Sequence, residues 1–216
     1  MTDKTVLNNS VIKTPGTLFI IAAPSGGGKT SLVNRLLEKD EHLKLSISHT
    51  TRPMRPKEEN GKDYFFITPE LFSAMVKKEA FLEHAEVFGY SYGTSSEQVL
   101  HALEKGLDVI LEIDWQGAQQ VRKLFDNVVS IFILPPSYEI LLERLAQRGQ
   151  DSAEIIQYRM EKAHHEIAHY PEFDFIVFND DFDDCLKQIQ SIITAQRLRY
   201  SQQSWRSIKR LLLLSQ

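Results

Sequence analysis

Two short stretches carry side chains whose types and spacing suit one chemistry. Residues 23–30 read Ala23-Pro24-Ser25-Gly26-Gly27-Gly28-Lys29-Thr30, directly after the apolar run LFIIA (18–22). Glycine loses more backbone freedom on folding than other residues, so a run of it marks a chain that must bend tightly around something. A strand, a glycine-rich turn, then Lys-Thr opening a helix is the arrangement of a phosphate-binding P-loop. Inward-facing backbone N–H groups hold phosphate oxygens, and the helix N-terminus adds positive potential. Lys29 would then reach the β- and γ-phosphates of a nucleoside triphosphate, and the Thr30 hydroxyl would ligate Mg2+. The strict pattern has glycine where this chain has Ala23, the smallest replacement. In the second stretch, SISHTTRPMRPKEENGKDYFF (46–66), Arg52 and Arg55 stand three apart on a proline-stiffened loop, suited to gripping a dianionic phosphate.

A third pattern competes. HEIAH (165–169) matches H-E-x-x-H, in which His165 and His169 would bind zinc on one helix face with Glu166 as base. No histidine follows His169, no glutamate follows Glu172, and Pro171 stops the helix, so a third ligand is missing. The expected role is a polar helix face.

The elements that must position these groups alternate along the chain. LFIIA (18–22) reads as a buried strand and TSLVNRLLEK (30–39) as a helix, through Leu32, Leu36 and Leu37. LKLSIS (43–48) alternates like a strand, 51–63 is a loop, YFFIT (64–68) is a strand and ELFSAMVKK (70–78) a helix. FLEHAEVF (81–88) is extended, and GYSYGTSSEQ then turns into a helix near 95–105. DVILEI (108–113) and VVSIFILP (128–135) are near-continuous apolar runs of the kind buried in parallel sheets, joined by the crossover helix WQGAQQVRKLF. Helices over 137–149 and 152–170, a strand FDFIVF (173–178) and a long helix from about 182 complete the pattern. The fold class expected is α/β, a P-loop-type parallel sheet with helices on both faces.

Length and composition narrow the rest. A chain of 216 residues suits one α/β domain with small insertions. With 42% hydrophobic and 25% charged residues it is ordinary for a globular protein, and a net charge of -4 provides no overall basic field for nucleic acid or membrane. The single Cys185 rules out an intrachain disulfide framework, fits a reducing compartment and reads as inert core. No apolar run approaches the roughly 20 residues that span a bilayer. LFIIAAP is short for a signal core and glycines follow it, so the expected location is cytoplasmic.

The segment 46–66 resembles the nucleotide-monophosphate site of guanylate kinases, S-x-T-T-R-x-x-R-x-x-E-x-x-G-x-x-Y. FLEHAEVFGYSYGT (81–94), LEIDWQGAQQ (111–120), ERLAQRGQDS (143–152), YRM (158–160) and FND (178–180) resemble that family in the same order, across roughly residues 16 to 200. The resemblance implies a core over 16–50, 105–139 and 170–200, a GMP-binding insertion over 51–104 and a lid over 140–169. An N-terminal arm (1–15) and a helical tail (201–216) flank them. It implies transfer of the γ-phosphoryl group of ATP to GMP, with dGMP as a further acceptor and a role in GMP recycling. The implied partners are ATP and GMP, with Mg2+ as cofactor and no nucleic acid or membrane; a homo-oligomer stays open, as does the role of the LLLL tail (211–214).

Residue by residue, Ala23 to Thr30, Arg144, Arg148 and Asn179 would hold ATP, Asn179 near the adenine. Arg52, Arg55 and Tyr64 would hold the GMP phosphate with Glu58 beside them; Ser48, Glu83 and Asp114 would read the base, and Tyr92, Gly93 and Thr94 would line the site. Guanine presents N1–H and an N2 amino group side by side, which a carboxylate such as Glu83 can accept together; adenine has a lone pair at N1. Ser48 or Thr94 could donate to guanine O6. Lys29, Arg52, Arg148 and Arg159 would stabilise the transferring group, and Arg144, Arg148 and Arg159 match the family's lid arginines. Many guanylate kinases have D-x-D where this chain has Glu112-Ile113-Asp114; Glu112 would support Mg2+ through water, with a longer reach. The remaining alternative, a guanylate-kinase-like module that binds phosphorylated peptides, fits poorly because Lys29, Thr30 and the lid arginines are all present.

Overall fold

The computed structural model describes residues 16–87, 89–125, 127–147 and 153–199. The N-terminal arm, Arg148 and the LLLL tail lie outside them, as does the side chain of Arg159, whose backbone belongs to a helix.

The main sheet has five parallel strands in the order β2 (Leu43–Leu45), β7 (Asp108–Glu112), β1 (Leu18–Ala22), β8 (Val128–Leu134), β9 (Phe175–Phe178). Every residue of β1 is buried because both faces are covered. Phe19 and Ile21 pack with Leu32, Val33 and Leu36 of α1 (Lys29–Lys39) and with Leu186, Ile189 and Ile193 of α7 (Phe182–Leu198). Leu18, Ile20 and Ala22 pack with Val99 and Leu103 of α3 (Ser96–Glu104) and with Ala118 and Val121 of α4 (Trp115–Arg122). The apolar runs read as central strands are therefore central. Cys185 lies in the α7 layer, where burial pushes its thiol up to about 11.

A second, smaller sheet has the order β4 (Phe65–Phe66), β3 (His49–Thr50), β6 (Tyr90–Ser95), β5 (Phe81–Val87), with α2 (Pro69–Lys77) on its flank. The run 43–48 thus ends as a strand at Leu45, and the chain crosses to the second sheet by His49. The stretch 90–95, read from sequence as turning into a helix, is instead a strand. Gly93 and Ser91 weaken its apparent β character, but β6 is paired on both sides, by β3 and β5. Phe81, Leu82 and Glu83 are all buried, against strand alternation, because the register with β6 shifts between Phe81 and Glu83. Such a bulge re-aims a side chain.

The helices α5 (Tyr138–Gln147) and α6 (Ala153–Ile167) form a small separate layer around Leu141, Leu145 and Ala163. A short 3-10 turn, Tyr170–Glu172, leads from α6 toward β9.

Candidate active site

The loop after β1 lies at the C-terminal edge of the parallel sheet, where β1 is flanked by β7 and β8, and ligands of such sheets bind there. Gly26 and Gly28 have φ of 88° and 91°, the left-handed region. At Gly28 a second constraint applies: a Cβ there would stand 2.4 Å from Asn179 Nδ2, which donates to the Gly27 carbonyl at 2.8 Å. Asn179 thus braces the loop from beneath. Ala23 does not share the positive φ, so its methyl group is accommodated without backbone strain. Gly28 caps α1, whose first turn contains no acidic side chain, leaving the helix N-terminus able to hold an anion.

A cleft of about 630 Å³ opens on this loop. Residues 23–30 line it together with Ser48, Arg52, Arg55, Glu58, Tyr64 and Tyr92, and with the carboxylates of Glu83, Glu112 and Asp114. Two stretches far apart in sequence therefore face one space.

Glu58 organises the arginines of the second stretch. Its Oε1 accepts from Arg52 Nη2 at 2.7 Å and stands 3.9 Å from Arg55 Nη1, while its Oε2 accepts from the Arg55 backbone at 2.8 Å. The Arg52 guanidinium also lies 5.5 Å from the Tyr64 ring centre and 5.6 Å from that of Phe66. Burial holds Tyr64 at about 12, so it stays a neutral donor. Arg52, held by Glu58 and by the Pro53 carbonyl, gathers with Arg55 and Tyr64 into a cluster of donors suited to a tetrahedral anion.

Glu83 is the deepest charge of the cleft wall, 4% exposed. Thr94 donates to its Oε1 at 2.5 Å. Burial pushes Glu83 up to about 7; the Thr94 bond opposes this and the nearby Asp114 carboxylate adds to it. Gly117 of α4 makes room for it, since a Cβ there would come within 2.6 Å of Glu83 Oε2. Nothing in the sequence pattern singled out Gly117, because a glycine inside a helix has many causes. Asp114 is the N-cap of α4, its Oδ1 accepting from Gly117 N–H at 2.9 Å.

Several expected residues stand behind the cleft rather than on it. Thr94 is fully buried and its hydroxyl is committed to Glu83. Gly93 faces the Phe81 ring. Arg144 donates to the Asn179 carbonyl at 3.1 Å, so both of these residues sit beside the loop, with Arg144 Nη1 buried and unpaired among the described residues. Among the described residues the HEIAH side chains are not gathered with further His, Cys, Asp or Glu side chains as metal ligands. His169 stacks on Trp115 at 3.6 Å and bonds Glu172, while Glu166 turns to the P-loop. Among the described residues no helix is long and apolar enough to cross a membrane.

The comparisons agree with this arrangement. The family model described as guanylate kinase matches residues 15–196. A guanylate kinase of Hahella chejuensis is 60% identical over 191 residues, covering 88% of this chain and 92% of its own. One of Legionella pneumophila (strain Lens) is 52% identical, covering 92% and 95%. The crystal structure of guanylate kinase from Anaplasma phagocytophilum superposes with a TM-score of 0.76 at 33% identity, over 91% of this chain and 94% of that one. Fold, cleft and relatives converge: the chain belongs to the guanylate kinase family.

Proposed function

We propose that this enzyme transfers the γ-phosphoryl group of ATP to GMP, giving ADP and GDP, with dGMP as a further acceptor in purine recycling. One observation carries the reading: a P-loop, an Arg52–Arg55–Tyr64 cluster and a buried carboxylate, Glu83, line the same cleft. Residues 23–30 bind the triphosphate, and Arg52, Arg55, Tyr64 and Tyr92 bind the acceptor's phosphate. Phosphoryl transfer needs positioning and charge stabilisation more than a base, and Lys29 and Arg52, both lining the cleft, supply them. Glu83 accepts guanine N1–H and N2–H, with Ser48 and Asp114 at the base edge. The lid arginines Arg148 and Arg159 neutralise the donor phosphates, and Arg144, bonded to the Asn179 carbonyl beside the loop, joins them only by leaving that carbonyl.

Mg2+ fits the residues present. Thr30 lines the cleft, and Glu112 Oε1 is buried with no hydrogen-bond partner among the described residues, as suits an acceptor waiting for a cation-bound water. When bound, the ion neutralises phosphate charge. A cytoplasmic setting suits a chain whose single cysteine cannot form an intrachain disulfide.

The test is ADP formation by purified protein, coupled to an indicator and run with GMP, AMP, CMP and UMP. Turnover that depends on GMP supports the reading; turnover without acceptor, or equal turnover with AMP, overturns it.

A further inference from the structure

Helix α4 brings three residues to one stretch of β5, at a spacing of three that keeps them on one helix face. Asp114, its N-cap, is close enough to Glu83 to repel it. Gly117 leaves the space that Glu83 Oε2 fills, 2.6 Å from where a Cβ would stand. Gln120 meets the next residue of the strand, His84, twice. Its Oε1 accepts the His84 backbone N–H at 3.1 Å, and its Nε2 donates to the His84 carbonyl at 2.9 Å. A side-chain carboxamide has the same donor and acceptor as a peptide unit, so Gln120 bonds the strand as a neighbouring strand would. β5 is the edge of its sheet, with His84 opposite Gly93 of β6 on the inner side. Gln120 Nε2 also lies 3.4 Å from the Gln116 carbonyl, one turn back, which holds the side chain along its own helix.

The place of this contact matters because β5 is irregular there. Phe81 stands opposite Ser95 and Glu83 opposite Thr94, so Leu82 is the extra residue of a bulge. After the bulge the strand alternates: Glu83, Ala85 and Val87 line the cleft, while His84 and Glu86 are exposed. A shift of one residue would exchange the two sets and turn Glu83 away from the cleft. β6 holds the register on the inner side. On the outer side, Gln120 bonds both backbone groups of the residue that follows Glu83. We propose that Gln120 is a positioning residue for the acceptor base: by bonding both backbone groups of His84 it pins the bulged register of β5, aims Glu83 into the cleft and so sets the preference for guanine. The proposal rests on the reading that Glu83 accepts guanine N1–H and N2–H. Gln120 does not line the cleft, so its effect runs through Glu83.

A general brace and a positioning residue make different predictions. A brace of the helix or sheet lowers activity with every acceptor, whatever stands at position 83. A residue that aims Glu83 matters for GMP alone, and only while the carboxylate is there. Measuring kcat/KM for GMP and for AMP in full-length wild type, Gln120→Leu, Glu83→Gln and the double variant separates them. Leu keeps the bulk of the side chain and removes both bonds, leaving the His84 backbone groups at an exposed edge where water can bond them. Gln120→Leu should lower kcat/KM for GMP by about 3- to 30-fold and leave AMP within about twofold. In the Glu83→Gln background the same substitution should cost GMP less than about twofold more, the non-additivity of two residues that act as one. Gln120→Asn, one methylene shorter, should repeat the loss with a polar side chain and stands in if the Leu variant does not fold. Thermal melts and unchanged affinity for a nonhydrolysable ATP analogue show that each protein is intact. Wild-type GMP kinetics in both Gln120 variants, equal losses with GMP and AMP, or equal losses in the two Glu83 backgrounds overturn the proposal. Wild-type GMP kinetics in Glu83→Gln remove instead the reading of Glu83, and the proposal with it.

Discussion

Thr94 donates its hydroxyl to Glu83 Oε1 at 2.5 Å, and both residues are buried, at 0% and 4% exposure. The bond fixes one carboxylate oxygen and turns the group toward the cleft. It also explains why Glu83 tolerates burial: without the hydroxyl, an acceptor would be left unmatched.

Replacing Glu83 with Gln tests base reading. The amide presents a donor to two guanine donors, and loss of a charged hydrogen bond costs about 1.5–3 kcal/mol or more, so kcat/KM for GMP should fall roughly 10- to 1000-fold. AMP should lose far less, and ATP-analogue affinity should hold. Melting temperature distinguishes a structural role. Because the folded-state pKa of Glu83 is raised from 4.5 to about 7, its contribution to stability is present below about 4.5 and is lost as pH rises through about 7. Glu83→Gln should therefore be at least as stable as wild type at pH 8. Equal losses with GMP and AMP, or a collapsed melting temperature, would move base reading elsewhere.

The same raised pKa makes acceptor binding pH-dependent. Guanine needs the ionised carboxylate, so affinity for GMP should climb toward a plateau above about pH 7 and fall below it, approaching about tenfold per pH unit. Asp114 adds repulsion to Glu83, so Asp114→Asn, which keeps an oxygen for the α4 cap, should move this acid limb to lower pH. Glu83→Gln should abolish the limb and leave only the titration of the GMP phosphate itself. A limb that Asp114→Asn does not move would remove Asp114 from this account.

Gly117→Ala is expected to harm function although alanine favours helix by about 1 kcal/mol. Its methyl group would meet Glu83 Oε2 at 2.6 Å and push the carboxylate from the cleft wall. GMP kcat/KM should drop by about tenfold or more, on the scale of one disturbed charged hydrogen bond, with ATP-analogue binding intact. Wild-type GMP kinetics would mean that Glu83 can reposition freely.

The central sheet and the P-loop were legible in the sequence because both are local. β1 is apolar throughout since both its faces are covered, and the glycines mark positive φ at 26 and 28. The second sheet was less so: β6 carries Gly93 and two serines, and it is a strand because two neighbours pair with it. Glu166 looked like a solvated helix residue, since a contact spanning 141 residues leaves no periodic trace. Asn179 was expected near the adenine; what the sequence did not reveal is that its side chain also bonds the Gly27 carbonyl. Gly28 needed coordinates too, because the reason it must lack a side chain is as much Asn179 as φ.

Lys29→Ala removes a charge that follows the migrating phosphoryl group. Loss of one electrostatic stabiliser predicts a fall in kcat of about 10²-fold or more. Single-turnover kinetics with saturating ATP and GMP measure it apart from binding, and near wild-type turnover would exclude the P-loop lysine from the reaction.

The most direct measurement follows the phosphoryl group itself. Wild-type protein is mixed with γ-labelled ATP, Mg2+ and GMP, and the label is traced among GDP, inorganic phosphate and protein. Direct transfer puts the label in the β-position of GDP, in step with ADP, with none attached to the chain and little released as phosphate. Label found mainly in inorganic phosphate, or held covalently by the protein, would contradict direct transfer across the cleft.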